Sequence, residues 1–225
     1  MDLCKKEVAE LLNVTESKID RWIAEGVFPF YQINGNYRFS RMEVEDWVMR
    51  GKQEEPSLAA KGIKQYGLYR ALHKGAVLHS VPGNTKEELI ANVMKVSAGE
   101  LGVDADVVTE MLMDRERLQS TGINNGIALP HTRESFLSPR QDSVIVAFPE
   151  RPIDYDSLDG EPVHTLFFLF ASDDKKHLHL LSKIAHLTSM TETRELLKEK
   201  PNKMSLLEYV RSWEAALGAK ATSSC

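Results

Sequence analysis

Cysteine is almost missing: the 225 residues hold two, Cys4 and Cys225, at opposite ends of the chain. A pair so placed supports neither a disulfide framework of the secreted kind nor the paired spacing of a zinc site, and both are read as incidental. No apolar run reaches the roughly 18 residues that a membrane-spanning helix needs. The opening MDLCKKEVAELL mixes acids and bases at helical spacing instead of setting a basic segment before an apolar one. The expectation is therefore a cytoplasmic protein without membrane insertion. Positive charge is in short supply as well. A formal net charge of −5 excludes a protein whose whole surface serves nucleic acid, while leaving room for a local basic face. No internal repeat and no low-complexity tract is seen.

What is present is the composition of an ordinary globular protein, 42% hydrophobic and 27% charged, in a chain long enough for two modest domains. Residues 53–67, QEEPSLAAKGIKQYG, bring a proline, glycines and mixed charge between two strongly periodic regions, so the linker is placed there. The organisation expected is a first domain over 1–52, a second over 68–218, and a small-residue tail over 219–225 that frays. SLAAKGIKQYGLYRALHKG has enough apolar residues for a short helix leading into the second domain.

The first fifty residues read as helix, turn, helix, hairpin, helix. KKEVAELL puts Val8, Leu11 and Leu12 on one face, and Thr15 is placed to cap the next helix. That helix, ESKIDRWIAEG, buries Ile19, Trp22 and Ile23 and stops at Gly26. Asn34-Gly35, between two short β-prone runs, is a strong signal for a tight hairpin. SRMEVEDWVMR then opens with Ser40 and Glu43 as a capping box, with Val44, Trp47 and Val48 inward.

This order resembles the small winged helix-turn-helix domains of the excisionase and MerR type. The resemblance covers residues 3–50 and rests on KKEVAELLNVTESKIDRWIAEGVFPF followed by NGNYRFSRMEVEDWV. It implies a second helix in the major groove and a wing on the backbone beside it, with Ser17, Lys18 and Arg21 facing DNA from the helix and Asn36 and Arg38 from the wing. The competing reading is a solvated helix face and an exposed hairpin. Glu16, Asp20 and Glu25 lie in the same helix and weaken the electrostatic footprint.

From Leu68 onward longer helices alternate with apolar strands, which means an α/β layer around a mostly buried sheet. NTKEELIANVMKVSAGELG opens with Thr85 and Glu88 as a second capping box, and ADVVTEMLMDRERL ends close to Arg115 and Arg117. GIALPH, VIVAFPE and HTLFFLFA are the strand-like runs. DKKHLHLLSKIAHLTSM, TETRELLKEK and NKMSLLEYVRSWEAAL are helices.

His131 follows Pro130, which lets no helix continue through it, so the imidazole begins a new segment at the exposed end of a strand. The preceding STGINNG loop could let backbone N–H groups converge on an anion, with the hydroxyls of Ser120 and Thr121 beside them. Arg115 adds a guanidinium fork that matches phosphate. Imidazole can attack and hold a phosphoryl group through nitrogen. Alone, His131 would be read as a structural histidine; in this company it predicts phosphoryl chemistry.

Residues RERLQSTGINNGIALPH, with PIDYDSLDGEPVHTLFFLFA and HLHLLSKIAHL in order behind them, resemble the type 2 IIA domains of the bacterial sugar phosphotransferase system, the mannitol/fructose and nitrogen-regulatory group. The similarity spans about residues 69–217. It implies an IIA-like mixed sheet flanked by helices, and a phosphotransferase working through a phosphohistidine. By the resemblance His131 accepts phosphate from an HPr-like carrier, His177 orients it and hydrogen-bonds the phosphate, and Arg115 neutralises it. Two positions depart from the family pattern. Thr132 stands where glycine is usual and narrows a partner's approach. Asn124 replaces a loop glycine and still tolerates a left-handed backbone.

His179 falls off the face of His177, because helix neighbours recur at every third and fourth position. His73, His79 and His164 have no identifiable partners in the sequence, and HLH without a carboxylate or cysteine pattern supports no metal site. The expectation is a nitrogen-regulatory IIA protein, without cofactor, whose phosphorylation changes its binding to regulatory target proteins or DNA. The alternative is a transcription regulator whose IIA portion senses or binds partners without phosphoryl transfer.

Overall fold

A computed structural model of the chain describes residues 2–33, 35–50, 67–132 and 142–222. The N-terminal unit contains β1 (Asp2–Leu3), α1 (Lys5–Leu12), α2 (Glu16–Ala24), β2 (Tyr31–Ile33), β3 (Asn36–Ser40) and α3 (Arg41–Met49). Its antiparallel sheet has the order β1-β3-β2, and the pairing of Ile33 with Asn36 closes the two-residue turn expected at 34–35. Gly35 takes φ +78 there, in the region glycine favours. Asn34 itself lies outside the described residues. Gly26 ends α2 as expected: at φ +69 it lets Val27 N–H reach the Trp22 carbonyl at 3.1 Å. Phe28, Trp22, Trp47 and Phe39 pack ring against ring inside this unit.

Two capping expectations need correction. Thr15 and Ser40 occupy N-cap positions, but neither side chain makes a capping hydrogen bond, so the box expected from Ser40 and Glu43 does not form. The cap at Thr85 does form, its hydroxyl accepting from Glu88 N–H at 3.2 Å, while the Glu88 carboxylate reaches Asn84 N–H at 2.8 Å.

The second unit contains α4 (Leu68–Lys74), β4 (Val77–Val81), α5 (Lys86–Leu101), α6 (Ala105–Leu118), β5 (Ile127–Ala128), β6 (Ser143–Pro149), β7 (Thr165–Phe170), α7 (Asp174–Ser189), α8 (Thr191–Lys198) and α9 (Lys203–Thr222). The sheet order is β4-β6-β7-β5: β6 and β7 are antiparallel, while each edge strand runs parallel to its neighbour. This is the mixed sheet flanked by helices that the sequence implied. Every residue of β6 and β7 is buried, with Val144, Val146, Phe167 and Leu169 in one apolar cluster and Ile145, Ala147, Leu166 and Phe168 in the other. A strand buried on both faces reads as a continuous apolar run, as VIVAFPE and TLFFLF do. β4 was missed from sequence because it is a half-exposed edge strand carrying His79 and Ser80.

Glu214 of α9 clips three helices together. Its carboxylate accepts from the Leu68 and Tyr69 N–H groups at the start of α4, at 2.7 and 3.3 Å, and from Lys183 Nζ of α7 at 2.6 Å. Of the linker expected over 53–67, Gly67 is described, as the N-cap of α4, and 53–66 lie outside the described residues. The tail expected to fray from residue 219 is helical to Thr222.

The two units share one apolar core. Val8, Trp47, Val48 and Met49 belong to the same buried cluster as Leu178, Leu181 and Val144, and both α1 and α3 pack on α7. Six consecutive residues of α3, Val44 to Met49, are buried. A helix covered by one neighbour shows a single apolar stripe; burial all round its girth means it lies between two bodies.

Candidate functional site

Arg115 sits in the last turn of α6 and is fully buried. Its Nη1 donates to the Gln119 carbonyl at 2.9 Å, so one arm of the fork satisfies the end of its own helix and fixes the other. His131 is held from the opposite side. Leu169 N–H of β7 donates to the Pro130 carbonyl at 2.9 Å, and His131 bridges to Leu169 in parallel register. Pro130 thus hands the chain onto the sheet, as the rigid residue before the histidine suggested.

The ring of His131 is oriented by its own strand. Nδ1 lies 2.7 Å from the Leu129 carbonyl, and a carbonyl can only accept, so Nδ1 carries the proton. Arg115 Nε stands 3.2 Å from Nε2 and can only donate, so Nε2 presents a lone pair. The arrangement leaves one nucleophilic nitrogen next to one permanent cation.

His177 enters from the first turn of α7, a helix capped by Asp173, whose carboxylate accepts from Lys176 N–H at 2.9 Å. The two imidazole centroids are 5.1 Å apart at 58°. Burial pushes His177 down to about 3, and the neighbouring His131 adds to this, so His177 is neutral at physiological pH. Its Nε2 is buried and has no hydrogen-bond partner among the described residues. A neutral ring with an unused nitrogen is suited to a new acceptor or donor arriving on His131.

Arg115, His131 and His177 are therefore brought together, but not at the open rim expected from sequence. His131 is 0% exposed, because α3 covers the pocket with two carboxylates. Glu45 Oε2 stands 3.8 Å from His131 Nε2, and Oε1 stands 3.8 Å from His177 Nε2. Asp46 Oδ1 accepts from Arg115 Nη2 at 3.1 Å. Arg41, one turn earlier on α3, donates from Nε to Glu45 at 3.0 Å and grips Asp174 at the start of α7 through both terminal nitrogens, at 2.6 and 2.9 Å. Burial opposes ionisation of Glu45, and the Arg41 guanidinium favours it. Burial lifts Asp46 above its ordinary value, partly offset by Arg115.

None of Arg41, Glu45, Asp46 or Asp174 was read as a site residue. EVEDWV has a normal inward stripe in Val44, Trp47 and Val48, and acids between such positions are taken for the wet face. The signal available was two adjacent carboxylates on a helix of a domain expected to meet DNA, where negative charge is out of place.

The loop plays another part than expected. The Ser120 hydroxyl donates to the Tyr155 carbonyl at 2.7 Å and accepts from Gly122 N–H at 3.1 Å. Thr121 gives both its hydroxyl and its N–H to the buried carboxylate of Glu116, and Tyr155 donates to the same carboxylate at 3.2 Å. Ile123 N–H is bonded to the Ile127 carbonyl and Asn125 N–H to Asp159. These donors are committed to the protein, so the loop does not form the converging anion nest read from its composition. It shapes the turn that carries α6 into β5. Gly126, at φ +71, is needed there: a Cβ would meet His164 at 2.5 Å.

On the N-terminal unit, Ser17, Arg21 and Asn36 are exposed. Lys18 and Arg38 are half-buried, and the Lys18 ammonium lies 5.2 Å over the Trp22 ring. These residues belong to α2 and the hairpin, whereas α1 and α3 carry the contact with α7. Glu45, His131 and His177 offer ligand atoms within 4.8 Å of one another, a spacing a metal ion could use. Two guanidinium groups already occupy its surroundings, Arg115 on His131 and Arg41 on Glu45, and both repel a divalent cation. Among the described residues no helix is long and apolar enough to cross a membrane.

The family described as phosphoenolpyruvate-dependent sugar phosphotransferase system, EIIA 2, matches residues 70–213, and a helix-turn-helix domain family matches residues 5–52. A nitrogen regulatory protein of Pseudomonas aeruginosa is 37% identical over 147 residues, 64% of this chain and 94% of that protein. One of Escherichia coli is 35% identical over 132 residues, 57% of this chain and 80% of that protein. The crystal structure of the nitrogen regulatory protein IIA-Ntr from Neisseria meningitidis superposes with a TM-score of 0.55 at 27% identity, over 61% of this chain and 93% of that one.

Proposed function

Because this chain belongs to the phosphoenolpyruvate-dependent sugar phosphotransferase system EIIA 2 family, we propose that His131 accepts a phosphoryl group on Nε2 from a phosphohistidine carrier of the HPr type, and that the chain acts as a regulator. The observation that carries this reading is the proton placement on His131. Nδ1 gives its proton to Leu129, and Nε2 faces Arg115 with its lone pair.

The transfer is an in-line displacement. The Nε2 lone pair forms the new N–P bond while the N–P bond of the donor breaks, and that electron pair stays on the donor imidazole. The positive charge left on the His131 ring is shared with the Leu129 carbonyl through Nδ1–H, and the phosphoryl oxygens are met by Arg115. His177, neutral, donates to one of those oxygens from the nitrogen that now lacks a partner. Catalysis of this kind is positioning plus charge stabilisation, and losing one such donor costs about 100- to 1,000-fold. Ser120 and Thr121 have no part in it, since their hydroxyls are spent within the loop.

The N-terminal unit is the regulatory output in this reading, with Ser17, Lys18, Arg21, Asn36 and Arg38 directed at DNA. The chain is incubated with enzyme I, an HPr-type carrier and phosphoenolpyruvate, and the intact mass is followed. Gain of one phosphoryl group, absent in His131→Ala, supports transfer. The full burial of His131 favours a second reading, a regulator that binds partners without turnover. It predicts no mass gain from any carrier of the host.

A further inference from the structure

We propose that α3 is an internal plug of the acceptor pocket: the carboxylates of Glu45 and Asp46 hold the ground that a phosphoryl group on His131 needs, so phosphorylation and docking of the N-terminal unit exclude one another. The proposal rests on His131 being the acceptor.

Three observations carry it. The first is space. With Glu45 Oε2 3.8 Å from Nε2, no room remains for phosphorus bonded to Nε2 and for its oxygens. The second is charge. Each group in the pocket that suits a phosphoryl dianion is facing a carboxylate of α3: Arg115 meets Asp46 at 3.1 Å, and both imidazoles face Glu45. Carboxylate and phosphoryl oxygens are recognised by the same donors. Phosphorylation would set about two further negative charges beside two buried carboxylates, where little water screens them. The third is that the plug has its own latch. Arg41 ties α3 to Asp174 at the mouth of the pocket and steadies Glu45 from behind, so the carboxylates are delivered by a positioned helix and not by a loose side chain.

The consequence for output follows from where the face of α2 lies. Docking uses α1 and α3 and leaves Ser17, Arg21 and Asn36 exposed. Phosphorylation therefore changes how the N-terminal unit is held, from fixed against α7 to released, rather than uncovering α2. Because coupling between two equilibria is reciprocal, the factor by which docking weakens phosphorylation equals the factor by which phosphorylation weakens docking.

The test uses the full chain in four forms: wild type, Glu45→Gln with Asp46→Asn, Arg41→Gln, and His131→Ala. Phosphoryl gain from the HPr-type carrier is timed by intact mass, and hydrogen exchange of α3 is measured before and after phosphorylation. The plug predicts that the double variant and Arg41→Gln are phosphorylated roughly 5- to 150-fold faster than wild type, the span of typical coupling between sites. It also predicts that protection of α3 and of the facing turn of α7 falls once His131 is phosphorylated. Arg41→Gln keeps the proposal testable if the double variant does not fold. Equal rates in all forms with His131 intact, together with unchanged protection after phosphorylation, overturn the plug and leave the acceptor reading standing. No phosphoryl gain in wild type or in either unlatched variant overturns the acceptor reading, and the plug with it.

Discussion

Arg115 Nη2 donates to Asp46 Oδ1 at 3.1 Å, joining two side chains 69 residues apart across the boundary between two units that share one apolar core. The same guanidinium reaches His131 through Nε and closes its own helix through Nη1. A planar fork can serve three acceptors in fixed directions; an ammonium cannot. Arg115→Lys is therefore expected to behave almost as badly as Arg115→Ala. Both should lower the rate of phosphoryl gain by about 100-fold or more. Single-turnover timing by intact mass measures it, and a Lys variant within a few-fold of wild type would show that only net charge is required.

His177 gives the fold a pH dependence whose sign is set. Its folded value is pushed down to about 3, whereas an unfolded histidine titrates near its ordinary 6.5. Between those values the unfolded chain binds a proton that the folded chain does not. Stability contributed at this position is therefore fully present above pH ~6.5 and is lost as pH falls toward 3, at up to about 1.4 kcal/mol per pH unit. Urea unfolding of wild type and His177→Gln at pH 7 and pH 5 isolates the term by difference. Wild type should lose more between the two pH values, by about 1 to 2 kcal/mol. Parallel losses would mean that the ring is solvated in solution.

Most of this site was legible because its chemistry sits on strong local signals. Arg115 ends a periodic helix, Pro130 marks the break before His131, and His177 opens an amphipathic helix; the buried strand TLFFLF receives His131 through Leu169. What was not legible depends on contacts between distant segments. Nothing local to EVEDWV says that Glu45 faces two imidazoles, and nothing in the composition of STGINNG says whether N–H groups bond an anion or, as with Thr121, a buried Glu116. Periodicity reports which side of an element is apolar. It does not report that a second unit covers the polar side, which is how the part played by Glu45 and Asp46 of α3, and with it the closed pocket, was missed.

Glu214 offers a stability test well away from the pocket. Lys183 is 1% exposed, and Glu214 is its 2.6 Å partner as well as the acceptor for the first two N–H groups of α4. Glu214→Ala leaves a buried ammonium and two helix donors without partners, which should lower stability by about 3–5 kcal/mol. Lys183→Met with Glu214→Gln removes the charge pair together and should recover much of the loss, since a matched apolar replacement spares the desolvation cost. Urea midpoints at constant slope measure both. A loss below about 1 kcal/mol for Glu214→Ala would place the pair in solvent.

The N-terminal face makes a different kind of prediction, because its cations are partly committed. Arg21 lies 3.5 Å from Glu25, and Asp20 is engaged by Lys5 at 2.6 Å. Glu16 adds another acid to α2, so the field that draws DNA in is weak and contact must be short-ranged. Binding to random duplex DNA is then expected to be measurable at low salt and to weaken as salt rises with a shallow slope, reflecting few phosphate contacts. Lys18→Ala and Arg21→Ala should each weaken it and reduce that slope by about one counterion, whereas Glu25→Gln, which releases Arg21, should strengthen it. Fluorescence anisotropy against salt concentration reads all three. If neither alanine variant changes the slope while binding persists, the duplex is held elsewhere; if no binding occurs at low salt, α2 and the hairpin serve a protein partner instead.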